Sequence, residues 1–158
     1  MVRLLLCVLG AGALTLGCMD LFEVPVCTPR TFDTASTNVD TVTTSSGLQF
    51  IDGTAGSGAP LDWCMSIAVH YDGYLLDGTK FDSSRDIDRP LQFSPGVGSL
   101  IDGFEEGVIG MRFEGTRRLI IPPELGYGSE PVLDPLGNVI VPANSTIVFD
   151  VEVLGISP

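Results

Sequence analysis

Residues able to make or break bonds are scarce in this chain. Its one histidine is His70. It alternates with Ile67, Val69 and Tyr71, which puts it on the wet side of a two-residue repeat, with no partners for a triad or a metal set. It reads as a surface or hydrogen-bonding residue. The acids between Asp82 and Asp88 lack the central glycine and closing glutamate of a calcium loop. Gly78-Thr79-Lys80 follows no phosphate-loop pattern. None of the four cysteines stands in the C-x-x-C spacing used for zinc or dithiol chemistry. Metal, nucleotide and covalent catalysis are therefore disfavoured, and no cofactor or metal is expected. What the chain does place beside turns is aromatic: Tyr71 before Asp72-Gly73, Phe81 before Asp82-Ser83-Ser84, Phe104, Tyr127 between two glycines, and Phe149. Core packing accounts for any one of them alone.

The elements that must carry these rings follow from periodicity. Leu61, Trp63, Met65, Ile67, Val69 and Tyr71 fall on one face of an alternating run, with Asp62, Cys64, Ser66, Ala68, His70 and Asp72 on the other. The pattern predicts a strand with one face on a core. Ile147, Phe149, Val151 and Val153 alternate with Asp150 and Glu152 in a second strand. A third covers Arg117–Ile121 and stops at Pro122-Pro123, which cannot continue a ladder. A short strand is expected at Leu48–Asp52. Only one stretch has helical spacing: Ile101, Phe104 and Val108, with Glu105 and Glu106 assigned to the outer face. A short helix lying on an antiparallel sheet would bury both apolar faces, so the fold class is α+β.

The 158 residues suit one domain plus a tail. A net charge of −12 and the lack of a basic run argue against nucleic acid as a partner. Arg3 and the apolar stretch Leu4 to Leu16 resemble a signal-peptide core, shorter than the roughly 20 residues needed to span a bilayer. Gly17-Cys18 resembles a bacterial lipobox. The division expected is a signal peptide over 1–17, a lipidated Cys18 with a polar tether over 18–46, and a folded domain over 47–158, anchored in a bacterial envelope and facing the periplasm or exterior. Two cysteines then remain, Cys27 and Cys64. An oxidising compartment favours a disulfide between them, the other possibility being two free thiols. Asn144-Ser145-Thr146 matches a glycosylation sequon, incidental in a chain with this amino terminus.

Five segments stand in an informative order. They are Val69-His70-Tyr71-Asp72-Gly73, Asp77-Gly78-Thr79-Lys80-Phe81-Asp82-Ser83-Ser84, Leu100-Ile101-Asp102-Gly103-Phe104, Arg117 through Gly128, and Val141 through Phe149. In order and spacing they resemble the FKBP-type peptidyl-prolyl cis-trans isomerases, from about residue 47 onward. The resemblance implies a curved antiparallel sheet wrapped around one short helix, with an apolar pocket between them. It implies rotation about X-Pro bonds without cofactor. It also implies proline-containing peptides, unfolded exported proteins and macrolide inhibitors as ligands. The family's pocket falls on Tyr71, Phe81, Asp82, Phe93, Leu100, Ile101, Phe104, Tyr127, Val141 and Phe149. By the same resemblance, Tyr127 O–H and the Ile101 N–H would bind substrate carbonyls. Asp82 would face the rotating carbonyl, oriented by Tyr71. Three positions depart from the pattern: Phe104 stands for a tryptophan, Leu91 for an aromatic, and Ile87 for the arginine that pairs with the pocket aspartate. These departures keep open a different class of function, a module that binds proline peptides or unfolded chains without turning them over.

Overall fold

In the computed structural model the described residues are 34–36 and 41–157. Two long strands carry the alternation that organises the core. In β4 (Ser66–Leu75), Ile67, Val69 and Gly73 point inward and are buried. In β10 (Ile147–Ser157), the buried set is Ile147, Phe149, Val151 and Val153. The two run antiparallel from Ile147↔Leu75 to Ser157↔Ser66, with a bulge between Val153 and Gly155. On the other side of β10 lies β7 (Thr116–Ile121), which ends where Pro122 removes the next backbone donor.

Outward from β7 come β3 (Gln49–Asp52), β2 (Val42–Thr44) and β1 (Thr34–Ser36). The opposite edge of β4 is shared. Its Asp72–Tyr74 half pairs with β5 (Lys80–Ser83) and its Ile67–Val69 half with β6 (Leu91–Phe93). Between these halves, Ser84 satisfies the backbone of Tyr71: the Tyr71 N–H donates to Ser84 Oγ at 2.8 Å, and the Ser84 N–H to the Tyr71 carbonyl at 3.1 Å. A separate hairpin joins β8 (Val132–Leu133) to β9 (Val139–Val141). The α+β class and the curved antiparallel sheet around one short helix hold.

That helix, α1 (Asp102–Val108), packs its Phe104 and Val108 against the concave side of the sheet. Gly107 lets it come close: a Cβ there would lie 2.6 Å from both methyls of Leu119 on β7. Arg117 fastens the far end. Its buried guanidinium donates to the Gly107 and Ile109 carbonyls at 2.8 and 3.0 Å, pairs with Asp52 at 2.6 Å, and lies 4.1 Å from the centre of the Phe50 ring. It thus occupies helix-end acceptors that would otherwise be unsatisfied.

Three expectations need correction. The strand predicted from Leu61 begins at Ser66. Asp62 accepts the Trp63 N–H at 2.8 Å, the Met65 N–H bonds back to the Asp62 carbonyl, and Cys64 adopts φ +70°, so residues 62–65 form a turn that breaks the alternation. Glu105 and Glu106 do not face outward; they are 4% and 6% exposed, each with hydrogen-bond partners. The sheet also reaches into the stretch read as tether, because the β-branched Val42, Thr43 and Thr44 favour extended backbone. Cys64 takes part in a disulfide. Cys27 and Cys18 lie outside the described residues. No helix among the described residues is long and apolar enough to cross a membrane.

Candidate active site

A hollow of about 400 Å³ opens between α1 and the concave face of the sheet. Its floor is aromatic. Phe104 from α1 meets Phe149 from β10 edge-on, with ring centres 5.2 Å apart at 87°. Tyr71 from β4 stands edge-on to both, at 5.8 and 5.7 Å. These perpendicular contacts match the positive edge of one ring to the negative face of the next. Gly73 makes room for them, since a Cβ there would come within 2.8 Å of Phe149 and 2.9 Å of Phe81. Leu100 and Ile101, just before the helix, complete one wall; Tyr127 and Asp82 stand on the rim.

The predicted residues divide into two tiers. Tyr71, Asp82, Leu100, Ile101, Phe104, Tyr127 and Phe149 line the hollow. Phe81, Phe93 and Val141 lie behind it. Phe81 backs Phe149 at 5.6 Å and Tyr127 at 6.4 Å, Phe93 backs Phe104 at 5.7 Å, and Val141 is buried in the core. Leu91 and Ser99 also line the hollow and had no role assigned from sequence.

Polar groups around this floor are few and each has a defined state. The Tyr71 O–H donates to Asp82 at 2.6 Å, and the other oxygen of that carboxylate accepts the Ser83 N–H at 2.8 Å. No cation pairs with Asp82 among the described residues. Arg85 points to the outer face of the sheet, bonded to Asp72 and Glu152, and Ile87 at the mouth is exposed. Burial, then the bond to and charge of Asp82, hold the Tyr71 phenol above its ordinary pKa; burial, then the Asp82 charge, do the same for Tyr127. Both hydroxyls therefore stay protonated at neutral pH. The Tyr127 O–H and the Ile101 N–H have no acceptor among the described residues. An apolar cup thus presents two donors ready for carbonyl oxygens.

Sequence reasoning missed what holds the Ile101 wall in place. Buried Glu105 accepts three backbone N–H groups of the preceding loop: Gly96 at 2.9 Å, Ser99 at 2.9 Å and Leu100 at 3.1 Å. A glutamate at a helical position normally reads as solvent-facing, so its only signal was its place next to Phe104 and one turn from Ile101.

Comparison with known proteins agrees with this geometry. Residues 65–154 match the family described as FKBP-type peptidyl-prolyl cis-trans isomerase. The chain belongs to that family. This FKBP-type isomerase is 47% identical over 91 residues to FK506-binding protein 2 of Dictyostelium discoideum, an alignment covering 58% of this chain and 65% of that protein. It therefore spans just under two thirds of that relative's length. It is 50% identical over 88 residues to the FK506-binding protein of Neisseria meningitidis serogroup C, covering 56% of this chain and 76% of the other. Among solved structures it is similar to AtFKBP13, with a TM-score of 0.67 and 36% identity across 73% of this chain and 98% of that one. The FKBP motifs that the resemblance rested on are those that build the cup.

Proposed function

We propose that the chain speeds X-Pro rotation in unfolded exported proteins by favouring the twisted amide inside the aromatic cup. The rotation is slow because the planar amide must give up resonance, at a barrier of about 18–20 kcal/mol. The twisted amide has lost that polarity, so a pocket of rings suits it better than it suits the planar ground state, and each ~1.4 kcal/mol of difference gives about tenfold in rate. No proton has to move, so the reaction asks for no general base.

The observation that carries the reading is the pair of unengaged donors, Tyr127 O–H and Ile101 N–H, beside an apolar floor. Phe104, Phe149 and Leu100 would enclose the proline ring, with Phe81, Phe93 and Val141 supporting them. Tyr127 and Ile101 would each hold a substrate carbonyl. Asp82, oriented by Tyr71, would face the carbonyl that rotates. A macrolide with carbonyls at matching positions would compete for the same cup.

A proline-limited peptide assay on wild type and Tyr127→Phe tests the site. A loss of about tenfold in kcat/KM corresponds to about 1.4 kcal/mol of transition-state preference, the size of one hydrogen bond. A variant equal to wild type would remove Tyr127 from the mechanism. Lipidation at Cys18 and anchoring in the envelope belong to the same proposal. The apolar stretch ending in Gly17-Cys18 supports them, as does the disulfide at Cys64, a bond that persists in oxidising compartments. Intact mass of the native protein decides it; a first residue other than a lipidated Cys18 would sink the anchor and leave the isomerase untouched.

A further inference from the structure

Cys64 is bonded to another cysteine of the chain, and the other three, Cys7, Cys18 and Cys27, all precede β1. The bond therefore closes a loop that contains β1, β2 and β3, and it fastens the amino-terminal part of the chain to the turn at residues 62–65. That turn stands between the two ends of the segment that builds the cup wall. On one side the Leu61 N–H donates to the Met111 carbonyl at 2.7 Å and the Gly110 N–H to the Leu61 carbonyl at 2.9 Å, just past the end of α1. On the other the Cys64 N–H donates at 3.0 Å to the carbonyl of the fully buried Pro95. Gly96 follows directly, and its amide is among those held by Glu105. A single hydrogen bond and the Pro95–Gly96 peptide link thus separate the disulfide-bonded residue from the clamp on Leu100 and Ile101. Cys64 itself is exposed, and it holds a left-handed φ of +70° that a residue with a Cβ keeps only where its surroundings impose it.

We infer that this disulfide is a redox-sensitive latch on the wall of the cup: intact, it holds the loop that carries Leu100 and Ile101 in the geometry that receives substrate, and its reduction releases that loop. The effect on activity rests on the isomerase reading of the cup; the latch on the loop does not. The reductant is a dithiol, small or carried by a protein. Its thiolate attacks one sulfur of the bond, forms a mixed disulfide and releases the first cysteine as a thiol. Its second thiol then closes on the first and releases the other cysteine, so the chain gains two electrons and two protons and the dithiol leaves as a disulfide. With the bond cut, the turn loses its tie to the chain ahead of β1, and Cys64 relaxes from its left-handed conformation. Its N–H then turns away from the Pro95 carbonyl, and the Gly96 amide loses its fixed aim at Glu105. The Ile101 N–H keeps its place through that clamp and moves with it. The sheet has anchors of its own: β10 is laddered to β4 and β7, and Arg117 grips the far end of α1. Reduction therefore loosens the wall and spares the sheet.

The test uses the full chain, oxidised or reduced with dithiothreitol, at a temperature where circular dichroism shows both forms folded. Hydrogen exchange of the Gly96, Ser99 and Leu100 amides should quicken by about tenfold on reduction, while the amides of β10 stay as they were. On a proline peptide, kcat/KM should fall by about fivefold and return when oxidised glutathione re-forms the bond. Cys64→Ser should match the reduced protein and ignore the reductant. Glu105→Ala, whose clamp is already gone, should lose the redox response in kcat/KM. Loop exchange that does not change on reduction overturns the inference. So does an equal quickening in β10, which would give the bond to the whole fold. A protein without isomerase activity in either state, whose loop still answers to the reductant, would fault the reading of the cup and leave the latch standing.

Discussion

Replacing Glu105 with alanine should loosen the wall of the catalytic cup more than it loosens the fold. The carboxylate takes three backbone N–H groups, those of Gly96, Ser99 and Leu100, at 2.9–3.1 Å. Hydrogen bonds to a charged partner contribute about 1.5–3 kcal/mol each. Three would give several kcal/mol, but the Ser99 segment is exposed, and water can take over part of the loss. The cost of keeping a carboxylate buried is also removed with it. A net destabilisation of about 2–4 kcal/mol follows for Glu105→Ala, and about 1–2 kcal/mol for Glu105→Gln, whose amide keeps one acceptor oxygen but turns an NH2 toward a donor. Leu100 and Ile101 lie at the end of the released loop, so the Ile101 N–H loses its fixed aim and kcat/KM should drop by about tenfold in the alanine variant. Urea unfolding gives the first quantity. A proline-peptide assay at a temperature where every variant is folded gives the second. Glu106→Gln is the control: Glu106 is as buried as Glu105 but accepts from Ser46, away from the cup, so it should lose stability and keep kcat/KM. The reasoning is refuted if Glu105→Ala keeps kcat/KM within about twofold of wild type, or if Glu106→Gln loses as much activity.

Three further outcomes follow from the same geometry. Phe149→Ala, which removes a ring touching Tyr71, Phe81 and Phe104, should cost about 3–5 kcal/mol in urea unfolding and lower kcat/KM more than Tyr127→Phe does. The Tyr71 and Tyr127 phenols titrate above their ordinary value, so the folded state holds these protons more tightly than the unfolded state. Their contribution to stability is complete below about pH 10 and is lost as pH climbs past it toward the folded-state values, while kcat/KM stays flat from about pH 7 to about pH 10; a pH-rate profile and pH-dependent unfolding read the two. Asp82→Ala leaves no buried cation unpaired and frees the Tyr71 O–H and the Ser83 N–H beside solvent, so stability should change by less than about 2 kcal/mol and kcat/KM by less than about tenfold, measured in the same assays.

The strands that carry the cup were legible because a half-buried strand must alternate, and Ile67, Val69, Phe149, Val151 and Val153 do so without interruption. Phe104 and Val108 betrayed the helix in the same way. The alternation misled at Leu61–Met65, where the apolar residues keep the rhythm but Asp62 bonds its own backbone and closes a turn. Glu105 and Glu106 were hidden for a different reason. Composition treats a carboxylate as a surface group, and only the folded loop reveals backbone donors waiting for it. The ordered motifs located Tyr71, Asp82, Ile101 and Tyr127, yet could not separate lining from support: Phe81 and Val141 belong to the same segments but sit one layer deeper, as does Phe93 from β6. The hollow lined by Ser84, Ile87, Arg89 and Pro90 had no local signature at all, because it exists only where β5 and β6 leave a gap along β4.

The placement of β10 has a consequence for how this chain comes into being. The strand occupies residues 147–157, yet it lies in the middle of the sheet, joining β7 on one side to β4 on the other. A ribosome delivers polypeptide from the amino end, so β4 and then β7 are made before the strand that joins them, and until it arrives their apolar faces have no finished core to enter. The domain is thereby kept loose until β10 has been made. Late closure by this keystone strand is a timing device written into the strand order itself.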